Sequence, residues 1–182
     1  MDRLAELPGD VRGTTAVEFA LVGSALILTI VFIMMGGYLL YIGQALDRAT
    51  AVAARQIMIG TVQKANMGQS AFVTGVVCPA LPSAISCNDV IVNVQTVAEA
   101  AGPAGYYGFV NANQTALTMP ALSNASATFT PGTQGAYVYM QVVYPITFLP
   151  PFMAKLLGAN ATYNGSAAYL EVSTAAFRNE QY

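Results

Sequence analysis

The sequence predicts an α+β protein in which a long N-terminal helix, transmembrane in its first part, continues into a small antiparallel β-sheet domain. Three observations predict it. Between Glu18 and Asp47 the chain carries no charged residue and is almost wholly apolar. From Ile42 to Ile57 apolar residues recur at spacings of three and four, the period of one helix face. Beyond Thr61 several runs alternate with period two, as half-buried strands do.

The uncharged run from Phe19 to Leu46 is about 28 residues, roughly 42 Å as a helix, against a hydrocarbon core of ~30 Å. Its Leu, Ile, Val and Phe residues each favour insertion by roughly 0.3 to 0.6 kcal/mol, and Thr29, Gly36 and Gly37 offset only part of that. A cleaved secretory signal has an apolar core of only about 7 to 15 residues. A buried helix of a soluble domain is shorter and carries a polar stripe. The transmembrane part is therefore placed at about residues 19–42, with Tyr38 and Tyr41 as interfacial residues near its far end. Gly23, Gly36 and Gly37 would let a neighbouring helix approach closely.

The chain has 182 residues, 9 % of them charged, with a net charge of -2, so it lacks the basic excess of a nucleic-acid binder. Without the anchor roughly 120 residues remain, enough for one small core. Cys78 and Cys87 lie nine apart in C-P-A-L-P-S-A-I-S-C, and there is no His. Two thiols alone cannot complete a four-ligand zinc site. They form either a small disulfide loop on an oxidising side of the membrane, the preferred reading, or two reduced core thiols. Arg3 and Arg12 before the span are balanced by Arg48 and Arg55 after it, so the positive-inside bias does not orient the chain. Size and redox chemistry do: the short tail before the span stays in the cytoplasm, and a domain with a disulfide belongs outside.

Met1–Gly13, M-D-R-L-A-E-L-P-G-D-V-R-G, is polar and broken by Pro8 and Gly9, and reads as a leader. Thr15-Ala16-Val17-Glu18 is a capping-box pattern, in which hydroxyl and carboxylate satisfy free amides at a helix start. Glu18 also stands at the edge of an apolar span, where an ionised group is costly unless paired. Arg12-Gly13 followed by Glu18-Phe19 resembles the processing site of type IV pilin-like precursors, in which a prepilin peptidase cuts after the Gly. The A-V-E-F-A-L context resembles TadE-like proteins, pseudopilins of the tight-adherence (Tad/Flp) pilus system. The leader differs in carrying Asp2, Glu6 and Asp10 where such leaders are often basic, and Phe19 stands where short major Flp pilins usually have Tyr. The resemblance implies a processing site at Gly13, Thr14, Glu18 and Phe19, with cleavage between Gly13 and Thr14. It also implies a pairing role for Glu18, beside or in place of the cap, in which the new Thr14 amine is its cation.

After the span, Ile42, Leu46, Ala49, Ala53 and Ile57 share a face, and Gly60 is a C-terminal stop, giving a helix from about Thr15 to Ile59. The segment I-G-Q-A-L-D-R-A-T-A-V-A-A-R again resembles the post-membrane helix of TadE-like proteins. Strands are expected where Val90, Val92 and Val94 alternate with Ile91, Asn93 and Gln95, from Tyr137 to Tyr144, and from Ala168 to Ala175. Ala127 and Phe129 suggest a further edge strand, and Gly102–Gly108 with Pro131-Gly132 punctuate a loop-rich middle. In Y-P-I-T-F-L-P-P-F-M-A-K-L-L-G a helical turn after Pro151 would bury Phe148, Leu149, Phe152 and Leu156, on the sheet by preference or else on the membrane surface. This stretch and L-E-V-S-T-A-A-F-R-N-E resemble the C-terminal half of TadE-like domains. Asn113, Asn124, Asn160 and Asn164 satisfy the N-x-Ser/Thr rule, which chance explains in a chain this rich in Asn, Ser and Thr.

No nucleophile elbow, phosphate-cradling loop or close acid pair is legible, and Glu99 and Glu171 read as isolated and solvated. The expectation is a non-enzymatic protein without cofactor or metal. By resemblance it is a pilin-like lollipop: a leader at 1–13, a long helix at 14–60 and a periplasmic α+β domain at 61–182. It would sit in the bacterial inner membrane as a minor pseudopilin of an adhesive Tad/Flp pilus, with other pseudopilins, pilus assembly proteins, the peptidase and the lipid bilayer as partners. The alternatives are an uncleaved bitopic envelope scaffold, or a membrane-tethered adhesin or receptor whose Gly102–Gly135 loop binds a surface ligand.

Overall fold

The computed structural model describes residues 14–97, 122–159 and 161–182. Expectations placed on Met1–Gly13, Glu99, the Gly102–Gly108 loop, Asn113 and Asn160 lie outside these residues. The chain divides into two compact units between Tyr41 and Ile42, inside a single helix.

That helix, α1 (Thr14–Met58), runs for 45 residues. From Thr15 to Tyr41 none of its residues is buried, whereas in the second unit Ile42, Leu46, Ala49, Thr50, Ala53, Ala54 and Ile57 are. The change follows the sequence: before Ile42 apolar residues surround the helix, and after it they collapse to one stripe. Arg55 in the last turn favours the carbonyl end. The stop comes at Gly60, whose φ of 79° is left-handed, and a Cβ there would also run into the Tyr182 ring.

Between Thr61 and Ala80 the expected strand period is absent. The chain forms short helices instead: α2 (Thr61–Lys64), α3 (Gln69–Phe72), a π turn (Val73–Val77) and α4 (Cys78–Ala80). Phe72, Val73 and Val77 are buried at helical spacing, which the β-branched composition of F-V-T-G-V-V disguises. Cys78 and Cys87 are joined by a disulfide with Cα atoms 5.5 Å apart, tying α4 to a 3₁₀ turn (Cys87–Asp89) that leads into the first strand.

The sheet is antiparallel and four-stranded in the order β1-β2-β4-β3, from β1 (Ile91–Val97), β2 (Tyr137–Ile146), β3 (Ala161–Tyr163) and β4 (Ser166–Arg178). Phe129 makes an isolated parallel bridge to Val94 rather than the anticipated edge strand, and its ring lies 5.3 Å from that of Phe72. The unanticipated strand is β3, three residues long, closed on β4 by a turn through Asn164 and Gly165. Cross-strand partners share a face, so Val92, Val142 and Ser173 lie together and Asn93, Gln141 and Thr174 lie opposite. Asn93 and Gln141 are buried as well as the valines, so the polar members of the alternation do not mark a solvated face.

Three ties order β4 alongside the end of α1. A Cβ on Gly43 would stand 2.8 Å from Glu171 Oε1. The Ser173 hydroxyl donates to Asp47 Oδ1 at 2.5 Å. The Glu180 amide donates to the Met58 carbonyl at 2.9 Å. Rising numbers on the helix meet rising numbers on the strand, so the two run parallel. At the far end of this unit Asn179 donates to the carbonyls of Pro131 and Thr133, and Gln134 donates to the Tyr182 carbonyl.

The short helix α5 (Pro151–Leu156) packs against β4. It buries Leu149, Met153 and Ala154 but leaves Phe148, Phe152 and Leu156 at 51, 59 and 72 % exposure. The expectation that Phe148, Phe152 and Leu156 lie in the core on the sheet is therefore wrong. One face of so short a helix can reach the sheet, and Met153 and Ala154 occupy it, with Leu149 buried just before the helix.

Candidate functional site

The candidate site is α1 itself and the polar seam where its second half meets β4. Of the residues singled out at its start, Gly13 lies outside the described residues and Thr14 opens the helix. Thr15 is helical, so it cannot serve as the cap that the Thr15–Glu18 box requires, and Glu18 falls in the second turn. Glu18 and Phe19 are both exposed, Phe19 at 80 %.

Over its most apolar stretch α1 has a mean hydropathy of 2.4 with nothing buried, and it is long and apolar enough to cross a membrane. Two hydroxyls of this stretch are satisfied within the helix: Ser24 donates to the Leu21 carbonyl at 3.0 Å and Thr29 to the Ala25 carbonyl at 2.8 Å. That arrangement suits lipid, where water cannot serve as partner. Tyr38 and Tyr41 stack with centroids 6.4 Å apart near the end of the apolar stretch. A Cβ at Gly23, Gly36 or Gly37 would meet nothing within 4 Å. By helical geometry Gly23 and Gly37 are about four turns apart on nearly one face, while Gly36 points roughly 100° away.

The seam was not legible in the sequence. Glu171, read there as solvated, is partly buried against the helix backbone at Gly43. Burial raises its pKa from the ordinary carboxylate value, and the nearby Asp47 charge raises it further. Asp47 is held in turn by Ser173, a partner 126 residues away in sequence. The local signal for such a seat is a glycine facing an acid, and no spacing rule connects Gly43 to Glu171.

On the same side of the unit the Tyr163 hydroxyl donates to Asp89 at 3.1 Å, pinning β3 to the 3₁₀ turn after the disulfide. The recess beside them, about 180 Å³, is lined among others by Tyr144, Thr147 and Ser166. Desolvation raises the Tyr163 pKa, and the Asp89 hydrogen bond adds to the rise. These contacts tie β3 to the turn that leads into β1.

A family model described as TadE-like protein matches residues 13–55, the length of α1 from its first residue almost to its end. The family inferred from Glu18-Phe19 and from the post-membrane helix is the family that matches. No curated protein matches the chain. No solved structure matches it either.

Proposed function

We propose that this chain, matched to TadE-like proteins along its long helix, is a minor pseudopilin. It is a single-pass inner-membrane protein with its N-terminus in the cytoplasm and its domain in the periplasm. It takes part, without enzymatic activity, in building a Tad/Flp pilus used for surface adhesion. The observation that carries this reading is one continuous helix with two kinds of surface, apolar with no buried residue before Ile42 and striped against a sheet after it. Such a helix can pack laterally in lipid or in a filament while its far half holds a folded domain.

In this reading the prepilin peptidase cuts between Gly13 and Thr14, and Glu18 neutralises the new amine of its own or a neighbouring chain. Gly23, Gly36 and Gly37 admit close helix contacts with other pseudopilins and pilus assembly proteins. The Cys78–Cys87 disulfide forms in the periplasm. The test is the intact mass of the protein from its native host: the expected species begins at Thr14, and replacing Gly13 by a bulky residue leaves precursor. Protein that retains Met1 while pili assemble replaces this reading with an uncleaved bitopic scaffold.

A further inference from the structure

We propose that Phe148, Phe152, Leu156 and Leu157 form a second membrane contact, a face that rests on the bilayer crossed by α1. The inference deepens the membrane-anchor reading and rests on it.

The first argument is the face itself. Phe152 and Leu156 lie four residues apart on one side of α5, Phe148 just before the helix and Leu157 just after it are also exposed, and Met153 and Ala154 are the buried residues of the helix. A surface helix of a soluble domain carries polar residues outward, and this one carries apolar residues on both sides. The lone charge among residues 147–159 is Lys155, which is exposed; the stretch contains no acid. Apolar side chains beside an isolated lysine, whose ammonium can reach up to lipid phosphates, is the pattern of an interfacial helix.

The second argument is where the face lies. Glu171 sits at Gly43, one residue into the folded unit, and the later ties, Ser173 to Asp47 and Glu180 to Met58, lead away from that end. Tyr144 pairs with Glu171 and Ile146 with Tyr169, so β2 leaves the sheet at the end where the chain arrives from its apolar stretch. The connection carrying α5 begins there. Continuity with the anchor thus selects lipid over a second copy of the chain as the occupant.

The chain contains no Trp, so one introduced indole reports alone. The full-length protein is reconstituted in phosphatidylcholine and phosphatidylglycerol vesicles whose acyl chains are brominated either near the headgroup or near the bilayer centre. Phe152→Trp should emit blue-shifted light and be quenched most by the shallow bromines. Phe32→Trp, within the span, should be quenched most by the deep ones. Tyr137→Trp, at the opposite end of β2, should be quenched by neither. If Phe32→Trp is quenched and Phe152→Trp emits as in water, the anchor stands and the second contact is overturned. Blue-shifted but unquenched emission from Phe152→Trp assigns the face to a protein neighbour, which also overturns it. Loss of quenching at Phe32 overturns the anchor and this inference together.

Discussion

Glu171 shows how a single residue can be set by a partner distant in sequence. Its carboxylate is raised in the folded state by burial and by Asp47, so between its unfolded and folded pKa the native state holds the extra proton. Its contribution to stability is therefore fully present below the ordinary carboxylate range and is lost as pH rises through the folded value. Glu171→Gln should remove this dependence and stabilise the protein at neutral pH, modestly because the carboxylate is only partly buried. Denaturant midpoints at pH 4 and pH 7 check it; an unchanged difference between the two would clear Glu171. Glu18 is the complementary case, an exposed acid whose capping role is removed by a helical Thr15. If it neutralises the Thr14 amine in a low-dielectric setting, Glu18→Gln strands a cation at a cost that reaches about 3–5 kcal/mol. The variant should be inserted and cut yet fail to co-purify with pilus assembly components. Normal association and normal pili would end the pairing role.

At the scale of elements, the disulfide joins two pieces with little regular structure, α4 and the 3₁₀ turn before β1. Closing a loop of about ten residues stabilises by roughly 2 to 3 kcal/mol in the chain-entropy model, less where Pro79 and Pro82 already stiffen it. Cys78→Ser with Cys87→Ser should lower the unfolding free energy by about that amount, as measured by urea titration. A mass shift on alkylation without reductant should be absent from the periplasmic protein. Parts of this region were hidden in the sequence for a local reason. Val73, Val76 and Val77 have strong strand propensity, and it is the burial of Phe72, Val73 and Val77 in the core that goes with a helix and a π turn here.

For the whole molecule, the division at Tyr41 separates a helix with no buried residue from a unit with its own core. Leu46, Ala53 and Ile57 of α1 and Val92, Val138, Met140 and Val142 of the sheet all lie within residues 42–182. A fragment covering Ile42–Tyr182 should therefore unfold in one cooperative calorimetric transition without detergent. Absence of a transition, or two resolved ones, would show that the unit depends on the preceding residues.

Some of this protein is determined locally, and that part was legible. The uncharged run from Phe19 to Leu46, the switch to a stripe at Ile42 and the stop at Gly60 are properties of neighbouring residues, and they are enough to specify one long helix. The strands at Ile91, Tyr137 and Ser166 were legible for the same reason, since period two is a short-range pattern. Tertiary structure alone decided that Asn93 and Gln141 are buried, that Glu171 sits on Gly43 beside Asp47, and that Phe148, Phe152 and Leu156 face outward. Burial and charge proximity depend on which distant segment arrives at a given surface, and the pairing of β4 with β2 beside α1 sets that.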